Sequence, residues 1–310
     1  MQFFDQSAVA RALPYPALID ALAQGLQTPI ESPLRSHFEP NHDDSTVLIM
    51  PAWKSHEVMG VKLVSFWPDN GSRGKSTIAA VYVLMSCVDG SPLAVLDGTE
   101  LTQRRTAAVA ALGARILARK DSKTLAVLGT GSLSVPMVLA HRSVMDFERI
   151  EVWGRNPDKA RAVVDILARQ GVVAHANADL QQVVSQADVL CACSAAVDPF
   201  IRSEWVQPGT HVGLVGAFTP AMAEAEPALM ARSQVFADSR EAILQKGGEV
   251  LQAIQQGLMA HSDIQGEIAE LAANPERAWR SSAESITVFK SVGFAALDLI
   301  AAQSVVHNGA

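Results

Sequence analysis

Cysteine is scarce in this chain, and basic charge is outnumbered. Its 310 residues hold three cysteines, 25 Lys and Arg against 32 Asp and Glu, and a formal net charge of −7. That balance gives no electrostatic reason to expect nucleic acid or an anionic membrane as a partner. No apolar run approaches the roughly 20 residues of a membrane-spanning helix. The first residues, with Asp5 and Arg11, lack the apolar core of a secretory signal, so a cytoplasmic location is expected. Cys191 and Cys193 have the wrong spacing for a redox pair and lie in an apolar run, which reads as small core residues in a reducing compartment. Cys87 stands alone. His37, His42 and His56 fall in loop-like sequence, no His–Cys cluster has metal-ligand spacing, and no metal is expected. Internal repeats and low-complexity segments are also lacking. What is left, 49% hydrophobic and 18% charged residues, is an ordinary globular composition of about two domains.

The most informative positive feature lies near mid-chain. Thr124 to Leu128 is apolar and precedes Gly129, Thr130, Gly131, Ser132, Leu133 and Ser134, with Ala-rich helical sequence beyond. A strand, a glycine turn and a helix start form a common cradle for a dinucleotide pyrophosphate. The first glycine permits the turn, the second admits the phosphates, and the helix N-terminus offers unpaired N–H groups. The third glycine position holds Ser134. The surrounding pattern strengthens the motif: Arg149–Trp153, Asp188–Cys193, His211–Val215 and Val235–Asp238 read as strands, and Pro157–Gln170 as a helix. Such alternation predicts a parallel sheet covered on both faces, a Rossmann-type α/β domain over 121–284. After the second strand, where an NAD site usually carries Asp or Glu, stand Gly154, Arg155 and Asn156. A guanidinium pairs with a 2′-phosphate and stacks on adenine, which favours NADPH, with NADH possible. Read blandly, Arg155 is a solvated loop arginine.

Residues 1–120 read differently. Thr46–Met50, Met59–Phe66, Ala79–Ser86 and Pro92–Leu96 are strand-like, with turns at Pro68–Gly71 and Asp89–Gly90, and no helices intervene. An antiparallel or mixed sheet follows, hence an α+β domain, with a long Ala/Leu/Arg helix from Thr102 to Arg119. The segment from Ser285 reads as an extended piece and then a helix, without a partner in a completed Rossmann sheet. It is therefore assigned back to the first domain (1–120 plus 285–310), with the Rossmann domain inserted. Within the apolar run Val61–Val64, Lys62 is costly unless it faces a cavity or a carboxylate. Desolvation there would lower its pKa toward a range useful for acid–base work. An edge-strand lysine turned to solvent is the alternative. Arg105, before the Ala-rich stretch, has the chemistry to clamp a carboxylate bidentately.

Five pieces occur in order: Met50–Ala52, Gly60–Phe66, Asp97–Ala108, Gly129–Gly131 and Thr287–Gly293. Together they resemble the ornithine cyclodeaminase/mu-crystallin family over nearly the whole chain. The resemblance implies a Rossmann domain inserted in a split substrate-binding domain that also makes a homodimer. It places Arg35, Lys62 and Arg105 around a substrate carboxylate and amine carbon. It places Thr77, Arg105, Thr106, Gly129, Gly131, Ser132, Arg155 and Asn156 around the dinucleotide. Cyclodeaminases carry an acid–base Asp where this chain has Phe218, and the family's loop glutamine is replaced in the region of Leu133. Those departures disfavour cyclisation of ornithine and imply a ketimine reductase. Its substrates would be small cyclic imino acids, Δ1-pyrroline-2-carboxylate or Δ1-piperideine-2-carboxylate, with Lys62 catalytic and Phe218 against the ring. Alternatives within the family are a hydroxyproline dehydratase, an amino-acid dehydrogenase, an ornithine cyclodeaminase, or a non-catalytic NADPH-dependent ligand-binding protein.

Overall fold

A computed structural model describes residues 1–41 and 45–309, and His42 lies outside them. The chain divides into two units, Met1–Arg105 with Phe294–Ala310, and Thr106–Gly293, so the second interrupts the first along the sequence. The fold class is α/β, with a Rossmann-like parallel unit and an α+β unit.

In the α+β unit, β1 (Gln2–Phe4), α1 (Gln6–Ala12), α2 (Tyr15–Gly25), β2 (Ser36–Phe38), β3 (Thr46–Lys54), β4 (Val58–Phe66), β5 (Ile78–Ser86) and β6 (Pro92–Asp97) follow in order. The sheet runs β1-β6-β5-β4-β3-β2. Of the antiparallel and mixed arrangements expected, the sheet takes the mixed one, because β1 lies parallel to β6 while β2 to β6 pair antiparallel. Helix α3 (Gly98–Leu117) starts directly after β6, with Asp97 Oδ1 accepting from Glu100 N at 2.7 Å. A side-chain acceptor at that point satisfies one of the helix's orphan N–H groups.

The parallel unit holds β7 (Thr124–Leu128), α4 (Ser134–Arg142), β8 (Arg149–Trp153), α5 (Pro157–Arg169), β9 (His175–Ala176), α6 (Leu180–Gln186), β10 (Val189–Ala192), β11 (His211–Leu214), α7 (Pro227–Ala231), β12 (Ser233–Ala237), α8 (Arg240–Lys246), α9 (Gly248–Gln255), β13 (Ile264–Glu267), α10 (Ile268–Ala273) and β14 (Ile286–Lys290). Its eight strands run β13-β12-β14-β11-β10-β7-β8-β9, every neighbouring pair parallel. The order reverses at β7, which has β8 on one side and β10 on the other. Ligands of open parallel sheets bind outside the carboxyl ends of the strands at such a reversal. Leu128, Leu190, Val212, Leu214 and Val288 belong to the core around these strands.

One expectation is corrected. The extended piece after Ser285 does have a partner in the Rossmann sheet: as β14 it lies between β11 and β12. All five of its residues are buried, as befits an interior parallel strand with both faces covered. Only the helix after it, α11 (Ala295–Asn308), belongs to the α+β unit, where it packs on β3, β4 and β5. No described helix is long and apolar enough to cross a membrane.

Candidate active site

Alternation along β4 turns Val58, Gly60 and Lys62 inward. β4 is an interior strand, with Met50 of β3 and Tyr82 of β5 directly beside Lys62, so the solvent-facing alternative does not hold. Burying an ammonium demands a partner. The partner is Asp298 of α11, whose two carboxylate oxygens each accept from Lys62 Nζ at 2.8 Å. Arg105 Nε donates to Asp298 Oδ1, also at 2.8 Å. Lys62, Asp298 and Arg105 are all buried, and so is Tyr82, whose hydroxyl has no hydrogen-bond partner among the described residues. That hydroxyl occupies the space a side chain on Gly60 would need: a Cβ there would lie 2.1 Å from it.

Charge in this cluster is unbalanced. Burial and the Arg105 guanidinium push the Lys62 ammonium down to about 7; Asp298 opposes them, and Arg35 adds to the lowering. Burial alone would raise the Asp298 carboxyl, but Arg105 and Lys62 outweigh it and hold the group below its ordinary value. Two formal cations, Lys62 and Arg105, thus share one carboxylate. An anion entering here gains charge-assisted hydrogen bonds of about 1.5–3 kcal/mol each. A lysine near neutrality can donate a proton and recover it. The neighbouring Arg104 has a structural part, pairing with Glu100 and donating to Leu13 O at 3.0 Å.

The glycine turn follows β7. Gly129 adopts φ 142°, a conformation that side chains resist, and a Cβ there would also press on Cys193 at 3.0 Å. A Cβ on Gly131 would meet nothing within 4 Å, so the backbone is open to a ligand at that point. Ser134 stands where a third glycine is usual. Its buried hydroxyl donates to Gly129 O at 2.8 Å and ties the start of α4 to the turn. At the end of β8, Gly154 is required by contact, since a Cβ would come within 2.4 Å of Thr130 Cγ2. Arg155 is exposed, and no ion pair or hydrogen bond of its side chain occurs among the described residues. Asn156 caps α5, its Oδ1 accepting from Asp158 N at 2.9 Å and Lys159 N at 3.3 Å. An open glycine turn, a nine-residue helix behind it and an exposed arginine at the end of the second strand fit a dinucleotide.

Of the other residues named from sequence, Thr77 is half-buried ahead of β5 and its carbonyl accepts from Trp67 N. Thr106 follows Arg105 on α3, Ser132 is exposed in the glycine turn, and Phe218 is 36% exposed after β11. Arg35 immediately precedes β2. Asp298 was not singled out from sequence. The available signal was a lone carboxylate in the otherwise apolar run Ala295–Ala302, together with a buried lysine in need of one.

The sequence model of the ornithine cyclodeaminase/mu-crystallin family matches residues 7–310. A Delta(1)-pyrroline-2-carboxylate reductase of Paracoccus denitrificans is 34% identical over 305 residues, 98% of this chain and 96% of its own. The structure of Thermococcus litoralis Delta(1)-pyrroline-2-carboxylate reductase in complex with NADH and L-proline is similar at TM-score 0.94 and 26% identity, covering 99% of this chain and 97% of that one. An archaeal alanine dehydrogenase dimer with bound NAD is similar at TM-score 0.92 and 27% identity, covering 99% and 95%. With its sequence matched almost end to end, the chain belongs to the ornithine cyclodeaminase/mu-crystallin family.

Proposed function

We propose that this chain is an NAD(P)H-dependent imine reductase. It converts Δ1-pyrroline-2-carboxylate to L-proline and Δ1-piperideine-2-carboxylate to L-pipecolate, with NADPH preferred to NADH, and acts as a homodimer. The observation that carries the reading is the buried cluster of Lys62, Asp298 and Arg105, whose excess positive charge suits a carboxylate beside a basic nitrogen. The named activities of the Paracoccus and Thermococcus relatives support it.

When bound, the reduced dinucleotide supplies a hydride to C2 of the ring. Arg105 and Arg35 hold the carboxylate and so fix the ring's orientation. Lys62 gives the ring nitrogen a proton as the C=N bond becomes single, and regains it from water. Asp298 opposes the loss of that proton before it is needed. Gly129, Gly131 and the start of α4 take the pyrophosphate, with Ser132, Thr77 and Thr106 as further polar contacts. Arg155 pairs with the 2′-phosphate, and Asn156 shapes the loop that carries it. Phe218 gives the ring an apolar wall; it has no proton to move, which speaks against cyclodeamination.

The test is loss of reduced-nicotinamide absorbance when purified protein meets each imine, with NADPH and NADH side by side. Fast oxidation, faster with NADPH, is expected. Lys62→Met should lower turnover by about 10²–10⁴-fold and leave dinucleotide affinity intact. Silence with both imines, despite dinucleotide binding, would overturn the reductase reading.

A further inference from the structure

At the carboxyl ends of β10, β11 and β14 lies a second buried ion cluster, which no step above uses. Glu224, Glu249 and Lys290 are all fully buried. The Glu224 carboxylate accepts from two loops at once, from Ser194 N at 2.6 Å and Gly216 N at 2.7 Å. Its own N–H donates to Glu249 Oε1 at 2.9 Å. Lys290 Nζ donates to Ala217 O at 2.7 Å and pairs with Glu249 Oε2 at 2.8 Å. The loops after β10 and β11 are thus clipped together, closely enough that a Cβ on Gly216 would stand 1.9 Å from Ser194 O. With both carboxylates ionised, two of them against one ammonium leave a formal charge of −1. Apolar packing would serve stability as well as such a buried network or better, so stability alone gives little reason for it.

We propose that this network matches the charge of the cofactor: its buried negative charge favours the oxidised, cationic nicotinamide over the reduced, neutral one, while Glu224 and Lys290 hold the turn Gly216–Phe218 in place. The inference rests on the dinucleotide reading and not on the identity of the imine. Dinucleotides bind parallel sheets of this kind outside the carboxyl ends of the strands, the ends at which this network lies. Hydride donation turns a neutral ring into a cation, so fixed negative charge nearby favours the transition state over the ground state.

A protonation linkage follows. Burial pushes the Glu224 carboxyl up to about 7; Lys290 opposes the rise and Glu249 adds to it. The other titratable groups facing Glu224 are the thiols of Cys191 and Cys193, both raised chiefly by burial and neutral near pH 7. A cationic ring draws the Glu224 proton off, so affinity for the oxidised dinucleotide rises with pH through neutrality. Affinity for the reduced form does not.

The test measures Kd for oxidised and reduced dinucleotide by calorimetry from about pH 6 to about pH 8.5, in the wild type and in Glu224→Gln, Glu224→Asp, Glu249→Gln and Lys62→Met. Lys62→Met is included because Lys62 also titrates near neutrality. The wild type should move about tenfold toward the oxidised form across that range. Glu224→Asp and Lys62→Met should keep the movement, and Glu224→Gln should abolish it. Glu249→Gln should lose preference for the oxidised form, which keeps the test alive if Glu224→Gln does not fold. Persistence of the movement in Glu224→Gln, its loss in Lys62→Met, or equal weakening of both forms would overturn the proposal. If the wild type binds neither form, the dinucleotide reading falls and this inference with it.

Discussion

Lys62 and Asp298 show how one ion pair can hold a proton donor in reserve. An isolated buried ammonium would lose its proton, and a fully matched pair would keep it too firmly. Here burial and Arg105 push the ammonium down to about 7 while Asp298 pulls it back. If the protonated form is the active one, kcat/KM should fall about tenfold per pH unit above about pH 7. Asp298→Asn removes the carboxylate that holds the proton on Lys62. The fall should then begin at lower pH, and urea unfolding should show a loss of about 3 kcal/mol, because two buried cations lose their counter-charge. A pH profile identical to the wild type would take Asp298 out of the mechanism.

At the level of elements, local chemistry and pairing answer different questions. The cap of α5 is local: Asn156 followed by Pro157 marks a helix start, and the side chain bonds to Asp158 N and Lys159 N. Two substitutions separate that role from cofactor recognition. Asn156→Ala should lower stability by about 1 kcal/mol in denaturant melts. Asn156→Asp keeps the cap but puts a carboxylate beside Arg155; stability should hold while the ratio of Kd for NADPH to Kd for NADH rises. An unchanged ratio would place the 2′-phosphate elsewhere. By contrast, the position of β14 between β11 and β12 could not be read locally. Its apolar run announces a buried strand, but strand order depends on which neighbours have free edges.

Across the whole molecule, buried titratable groups set the response to acid. Burial pushes His141 down to about 4, against a hydrogen bond to Met137 O, and His211 down to about 3. Their neutral forms belong to the native state, so the stability they contribute is present above the ordinary histidine range. It is lost as pH falls from about 6.5 toward 4, where the unfolded chain takes up the protons. Glu224 has the opposite sign, since its native carboxyl holds a proton between about 4.5 and 7 that the unfolded chain gives up. His141→Gln should therefore flatten the acid-side slope of unfolding free energy by up to about 1.4 kcal/mol per pH unit. Urea titrations at several pH values would measure it, and an unchanged slope would mean that His141 stays protonated in the fold.

Sequence by itself determined the parallel unit's strand–helix alternation, the glycine turn, a helix-free run of strands in the first unit, and the family to which the chain belongs. These follow from periodicity, turn chemistry and ordered motifs, all local in the chain. It also marked Lys62, because a lysine in an apolar run must be explained. Only the tertiary structure decided what answers it: Asp298 lies 236 residues away in sequence, and no spacing rule links a strand residue to a helix in the last turns of the chain. The same holds for Glu224, Glu249 and Lys290, which come from a loop, a helix and a strand. Single carboxylates and lysines are common in any sequence. What makes these unusual is complete burial and mutual contact, which arise only once the chain has folded.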